Sequence, residues 1–244
     1  MPDMRDGARD ALKRAAAKLG YVVHRRDQTH EMSRDRAMRL RGVDLVLDVG
    51  ANRGQYATGL RMCGYQGRIV SFEPIPAAYQ DLVRAHGPDA QWTGRQAAVG
   101  AAAGSAELNV SASSVLSSIL DARTELSNRI PAVEATEKVV VSVVTLDDLW
   151  AELVPPQATT MLKIDVQGFE HFVLDGTAAH LDQIVLMEVE MGLQKLYEGG
   201  STIHDLLPRL HQAGFEVISI DSGFVDVATG QVLDIDVLAG RPQP

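Results

Sequence analysis

At 244 residues, with 45% hydrophobic and 23% charged side chains, the chain suits one generous globular domain, and disorder, collagen and coiled coil are excluded. A single cysteine, Cys63, excludes an internal disulfide framework and points to a reducing compartment. The formal net charge of −9 is uneven: residues 1–42 carry 11 Lys/Arg against 6 Asp/Glu and the rest 12 against 26, so the acidic body is a poor partner for a phosphate backbone.

Apolar positions at Ala8, Leu12, Ala15, Ala16 and Leu19 predict a helix over 1–20. Residues 24–41 are too rich in Arg, Asp and Ser for core, although Met32 and Met38 could anchor a second helix. From 43 to 49 runs an almost continuous stretch of β-branched and leucine side chains, as in a strand buried on both faces of a parallel sheet. Gly50 stops it, and a helix over 55–63 follows. The alternation repeats with a strand at 68–73, a helix at 76–86 and a short strand with its exit loop over 91–99.

The segment 107–144 breaks this rhythm. Between 111 and 137 it holds six serines, one proline and little periodicity, before a strand at 139–144 and a helix from 145 to 150 that opens with Asp147 and Asp148. Such an insertion is either a lid or binding loop, or a plain excursion over a sheet edge. A strand at 160–165, a helix at 170–179, a strand at 183–190 and a helix at 203–213 follow, and strands at 215–220 and 232–239 suit an antiparallel pair. Strands alternating with helices predict an α/β fold, an open and mainly parallel sheet with helices on both faces, over 43–244. The basic residues 1–42 form a helical N-terminal extension. No uncharged stretch approaches the roughly 18 apolar residues of a membrane helix, and no apolar signal core follows the start, so a cytoplasmic protein is expected.

The sharpest chemical signal is Asp48-Val49-Gly50-Ala51-Asn52-Arg53-Gly54-Gln55, between the first buried strand and a helix. Gly50 and Gly54 let the backbone pass close to a ligand, and the helix offers free N–H groups to a carboxylate or phosphate. Asp48, near the strand's carboxyl end, can face the crevice where open α/β sheets bind ligands. The dinucleotide fingerprint fails, because Asn52 and Gln55 stand where its second and third glycines belong, and this disfavours a nicotinamide-dependent oxidoreductase. Glu73, in Phe72-Glu73-Pro74 at the end of the second strand, lies 25 residues after Asp48 and is placed to accept both hydroxyls of an adenosine ribose.

These stretches, with Ser113-Ser114, Ser117-Ser118, the run from Val143 to Leu149, Leu162-Lys163-Ile164-Asp165-Val166-Gln167-Gly168-Phe169-Glu170 and Leu196-Tyr197-Glu198-Gly199, resemble the FkbM-type methyltransferases over roughly residues 43–240. The resemblance implies the seven-stranded, Rossmann-like class I methyltransferase sheet, S-adenosylmethionine as cofactor, and O-methylation of sugars or other secondary metabolites. Two positions depart from the family pattern: Gln167 stands where Glu is common, and Val189-Glu190 where a His often follows the Glu after strand five.

On this reading the turn, Asn52 and Gln55 included, holds the cofactor carboxylate, with Arg53 either reaching it or solvated. Glu73 holds the ribose, and the small Ala97 and Ala98 leave room for the adenine. A sugar hydroxyl needs its proton removed as the methyl arrives. Asp165 and Glu188, taken as the ends of strands four and five, have three open roles: one as general base, both as ligands of Mg²⁺ together with Glu190, or both as hydrogen-bonding positioners that also hold the cofactor's amino group. Glu190 alone could equally face outward on an edge. His171 and His204 are further candidate bases, each equally readable as a surface histidine. Ser117, Ser118, Glu190, Tyr197 and Glu198 are candidate acceptor contacts, with Tyr197 and Trp150 or Trp92 able to stack on a sugar face. Lys163 belongs to the shared motif without a role of its own. The expected partners are a small-molecule or oligosaccharide acceptor and a second copy of the chain in a homodimer, with neither nucleic acid nor a membrane span. A catalytically silent cofactor-binding regulatory or scaffold subunit is the alternative.

Overall fold

The computed structural model describes residues 15, 16, 18 and 29–242. Residues 15, 16 and 18 are helical, and the rest of the helix expected over 1–20 lies outside the described residues. Helix α1 (His30–Arg41) begins where the Thr29 hydroxyl accepts the Met32 N–H and ends at left-handed Gly42 (φ 66°). In chain order there follow β1 (Leu45–Val49), α2 (Gln55–Met62), β2 (Arg68–Phe72), α3 (Pro76–His86), β3 (Trp92–Arg95), β4 (Ala98–Val99) and β5 (Gly104–Ser111). Then come α4 (Thr124–Arg129), β6 (Ala135–Val144), α5 (Leu146–Leu153), β7 (Thr160–Ile164), α6 (Glu170–Asp175), β8 (Ile184–Gly192), α7 (Ile203–Gln212), β9 (Glu216–Ser222), β10 (Val225–Asp226), β11 (Gln231–Val232) and β12 (Asp234–Gly240).

The main sheet has seven strands in the order β3-β2-β1-β7-β8-β12-β9. The first five run parallel, and β12 is antiparallel to both β8 and β9. This is an α/β, Rossmann-like, mostly parallel seven-stranded sheet with an antiparallel C-terminal pair, as the resemblance implies. Alternation along β1 sorts the two cores: Leu45, Leu47 and Val49 face the layer containing Trp150, Val173 and Leu206, while Val46 faces Ala37, Met38 and Leu60 of α1 and α2.

The short strand expected within 91–99 is β3, and its exit loop carries a further two-residue strand, β4, which leaves the main sheet to pair with β6. One expectation is corrected. The insertion is not irregular throughout: β5, β6 and β4 form a second sheet, with β5 and β6 antiparallel. Only one face of that ribbon is covered, by Ile75 and Ala78, so Ala106, Leu108 and Val110 alternate with polar residues in a signal that the surrounding serines obscure.

Candidate active site

Strand order reverses between β1 and β7, and at the carboxyl ends of these strands lies a cavity of about 300 Å³, within the range of small-molecule sites. One wall is Val49–Asn52 with Gln55 and Tyr56, another Phe72–Ile75 with Ala97–Val99. Leu108, Ser114, Val115 and Ser117–Ile119 of the insertion form a third, and Lys163, Asp165–Gln167 and Phe169 the fourth.

The glycine turn is shaped by close backbone approach. Gly50 (φ 77°) has no room for a side chain, since a Cβ there would sit 1.8 Å from the Asp165 carbonyl oxygen. Asn52 is left-handed (φ 48°) and aims its N–H at Glu73 Oε2 (2.8 Å), while the Ile75 N–H donates to Oε1 (2.8 Å). Glu73 lines the cavity yet is only 4% exposed, and burial pushes its carboxyl up to about 7 against the pull of those two N–H groups. Gly50, Asn52, Gln55, Glu73, Ala97 and Ala98 thus share one cavity.

Three residues proposed for the cofactor stand elsewhere. Arg53 is exposed and pairs with Asp81 (3.6 Å), and Gly54 (φ 91°) packs under the His86 ring, which a Cβ would approach to 2.6 Å. Asp48 has no exposed surface, because alternation turns it under α2 rather than into the crevice. It belongs to a polar row that crosses four strands in register: Ser71, Asp48, Lys163 and Glu188. The Ser71 hydroxyl donates to Asp48 Oδ2 (3.0 Å), and Lys163 Nζ lies 3.4 Å from a carboxylate oxygen of both Asp48 and Asp165. The Lys163 ammonium also donates to the main-chain oxygens of Gly50 (2.7 Å) and Val49 (3.3 Å). Burial pulls its pKa down, but Asp165 and Asp48 more than offset this and hold it above the usual lysine range.

Glu188 is corrected as well. It sits in the middle of β8, paired with Lys163, and not at a strand end. Its carboxylate is 7% exposed and engaged by Arg34 Nη1 (3.3 Å) and the Tyr56 hydroxyl (2.9 Å), with His30 Nε2 3.5 Å away. Burial raises its pKa, and His30 and Arg34 overcome that and leave it below the usual carboxylate value. Because β8 runs on to Gly192, Glu190 reaches the level of Asp165 instead.

Around Asp165 the decisive residue is Gln167, left-handed (φ 55°) and 9% exposed. Its amide nitrogen donates to Glu190 Oε2 (2.7 Å) and Asp165 Oδ1 (3.3 Å), its Oε1 accepts the Tyr197 hydroxyl (2.9 Å), and its carbonyl accepts the Ser118 hydroxyl (2.7 Å). Glu190 is therefore inward and bonded, and burial among Asp165, Asp234, Glu170 and Asp236 raises its carboxyl well above normal. Tyr197 is buried beneath the insertion, where its hydroxyl also reaches the Leu116 carbonyl (3.2 Å), so it is not free to stack on a sugar. Glu198 is exposed beside Arg123 (3.8 Å) and lines no part of the cavity, whereas Ser117 and Ser118 do.

The histidines lie apart. His171 packs on the Phe172 ring (3.9 Å) with its imidazole pulled down by burial, His204 is exposed on α7, and neither lines the cavity. Trp150 stacks on His180 and Trp92 donates to Ser71, also away from the cavity. No group of three His, Cys, Asp or Glu among the described residues is placed to hold a metal ion.

The sequence reading missed the roles of Lys163 and Gln167, and Tyr56 with the Arg34 and His30 contacts to Glu188. A lone lysine in a buried strand requires a carboxylate partner, and equal alternation already put Lys163 on the face of Asp48. Nothing local marked Tyr56.

Among solved structures, the chain is similar to an rRNA methylase from Streptococcus thermophilus (10% identity, covering 91% of this chain and 100% of that one, TM-score 0.48). It is also similar to a putative tRNA (m1A22) methyltransferase from Streptococcus pneumoniae in complex with S-adenosyl-L-methionine (13%, 86% and 73%, TM-score 0.47). A third is Aeropyrum pernix fibrillarin with natively bound S-adenosyl-L-methionine (13%, 84% and 73%, TM-score 0.45). No curated protein matches the chain. The model of the methyltransferase FkbM domain family matches residues 48–217, and the chain belongs to that family.

Proposed function

We propose that the protein transfers the methyl group of S-adenosylmethionine to a hydroxyl of a sugar or glycoside. The observation that carries this reading is Glu73, a buried carboxylate that lines the cavity and accepts the Asn52 N–H of the adjoining glycine turn. The cavity matches the cofactor group by group. Glu73 suits the ribose hydroxyls, the turn and the start of α2 suit the carboxylate, and Ala97, Ala98 and Phe72 suit a flat apolar ring. When bound, S-adenosylmethionine supplies an electrophilic methyl on a sulfonium.

Of the two carboxylates lining the cavity, Asp165 is the one whose side chain stays 40% exposed. On this reading it takes the acceptor's proton, and its contacts with Lys163 and Gln167, one to each oxygen, support that role. Glu188, already shared by Arg34 and Tyr56, does not serve as the base. Ser114, Val115 and Ser117–Ile119 wall the cavity and shield it from water, with Ser117 as a hydroxyl contact for the acceptor, since the Ser118 hydroxyl is already held by the Gln167 carbonyl. On this reading 43–244 is the transferase domain, 1–42 an extension, and the acceptor a small molecule or oligosaccharide. No helix among the described residues is long and apolar enough to cross a membrane.

Methyl transfer from labelled S-adenosylmethionine to a panel of methyl glycosides and oligosaccharides, with and without EDTA, tests the proposal. Label in a glycoside, unaffected by EDTA and lost in Asp165→Asn, is the expected result. Turnover unchanged in Asp165→Asn would move the base elsewhere, and cofactor binding with no acceptor turned over would favour the silent subunit.

A further inference from the structure

Glu188 joins the cavity to the N-terminal helix. One oxygen faces Arg34 and His30 of α1, and the other accepts the hydroxyl of Tyr56, a cavity-lining residue. The Arg34 guanidinium carbon lies 4.7 Å from the centroid of the Tyr56 ring, and Lys163 Nζ 5.5 Å from the same centroid. The ring is thus fixed by two cations and its hydroxyl by one carboxylate. His30 is tied in turn to the Ser219 hydroxyl on β9 (3.1 Å). All three groups are buried, Arg34 at 5%, Glu188 at 7% and His30 at 9% exposure. Ala37 and Met38 already dock α1 on the sheet through apolar contact. Buried ions add little to such docking, because desolvation takes back most of the Coulombic gain. What they do fix is geometry, here the orientation of a side chain in the cavity wall.

We propose that Arg34, acting through Glu188, is a positioning residue for the cofactor cavity, so that docking of α1 and binding of the adenosyl ligand reinforce each other. The inference rests on the S-adenosylmethionine reading of that cavity. Loosening α1 removes Arg34 from the Tyr56 ring and leaves Glu188 with the Tyr56 hydroxyl alone, and the wall loses its single packing. By linkage, whatever affinity is lost when α1 is weakened must return as tighter docking of α1 when the ligand binds.

The test titrates S-adenosylhomocysteine calorimetrically into the full chain, into Arg34→Met and Arg34→Lys, and into each combined with Tyr56→Phe. Hydrogen exchange of residues 30–41 is followed with and without the ligand. Arg34→Met weakens binding about tenfold, and Arg34→Lys less, because it restores the charge without the flat guanidinium. In the Tyr56→Phe background, where the hydroxyl is gone, the Arg34 effect shrinks. In the unmodified chain the ligand slows exchange across α1, a readout that a merely structural role does not move. A folded Arg34→Met that binds like the unmodified chain overturns the inference, as does α1 exchange indifferent to the ligand. Should Arg34→Met fail to fold, Arg34→Lys and the exchange data decide. Failure of the unmodified chain to bind sinks the cofactor reading itself, and this inference with it.

Discussion

Replacing Lys163 with methionine keeps a buried unbranched side chain and removes the charge. Two ion pairs of 3.4 Å and the donated bonds to Gly50 and Val49 go with it. Asp165, two-fifths exposed, can turn to water, but Asp48 has no exposed surface and keeps only the Ser71 hydroxyl. A buried ion left alone costs about 3–5 kcal/mol. For a chain of this size that lowers the unfolding temperature by roughly 6–20 °C. Asp48, already pushed upward by burial, answers by binding a proton. Its folded pKa then lies above its unfolded one, so the folded state holds the extra proton between the two values and stability falls as pH rises through that window. Lys163→Met is accordingly closer to the unmodified protein at pH 5 than at pH 8. Adding Asp48→Asn removes the orphaned charge and recovers most of the loss, with a coupling of about 2 kcal/mol. Urea unfolding at both pH values, followed by tryptophan fluorescence and circular dichroism, reads all four proteins. A Lys163→Met loss under about 1 kcal/mol, or a double mutant that merely sums the singles, would refute this account of the polar row.

Other consequences follow from the cavity. Burial raises Glu73 to about 7, and ribose hydroxyls donate best to its ionised form, so S-adenosylhomocysteine affinity rises with pH up to about 7 and flattens above. Calorimetry from pH 5.5 to 8 that shows no slope would contradict this. Gly54→Ala forces a left-handed residue against the His86 ring and Leu82, at a cost of about 2–5 kcal/mol measurable by thermal unfolding. His171→Ala and His204→Ala leave cofactor affinity unchanged, and turnover too once an acceptor is in hand. A hundredfold loss in either would move the base to that residue.

The parallel sheet was legible because β1, β7 and β8 are short apolar runs whose ends carry Gly or Asp, and because each is followed by a helical period. The glycine turn and Glu73 were legible for the same reason: local spacing puts them at strand ends, and the structure gathers them around one cavity. Asp48 and Glu188 were misplaced by counting them at strand ends when the side-chain period decides where they point. Their neighbours across the sheet, Ser71 and Lys163, are set by register, which no local window contains. The insertion hid its ribbon because one of its faces is wet and its apolar residues are small. Gln167 and Tyr197 come together because the loops after β7 and β8 pack on each other, with the Ser201 N–H donating to the Gly168 carbonyl, and the insertion bridges to the second loop at Ala122.

The central claim is that Glu73 and the glycine turn grip an adenosyl ligand. Calorimetric titration of S-adenosylhomocysteine into the unmodified chain and into Glu73→Ala, with NADH as control, tests it directly. We predict micromolar binding to the unmodified chain, at least tenfold weaker binding to Glu73→Ala, and none of NADH. Equal affinity in the two proteins, or heat only with NADH, would contradict the account.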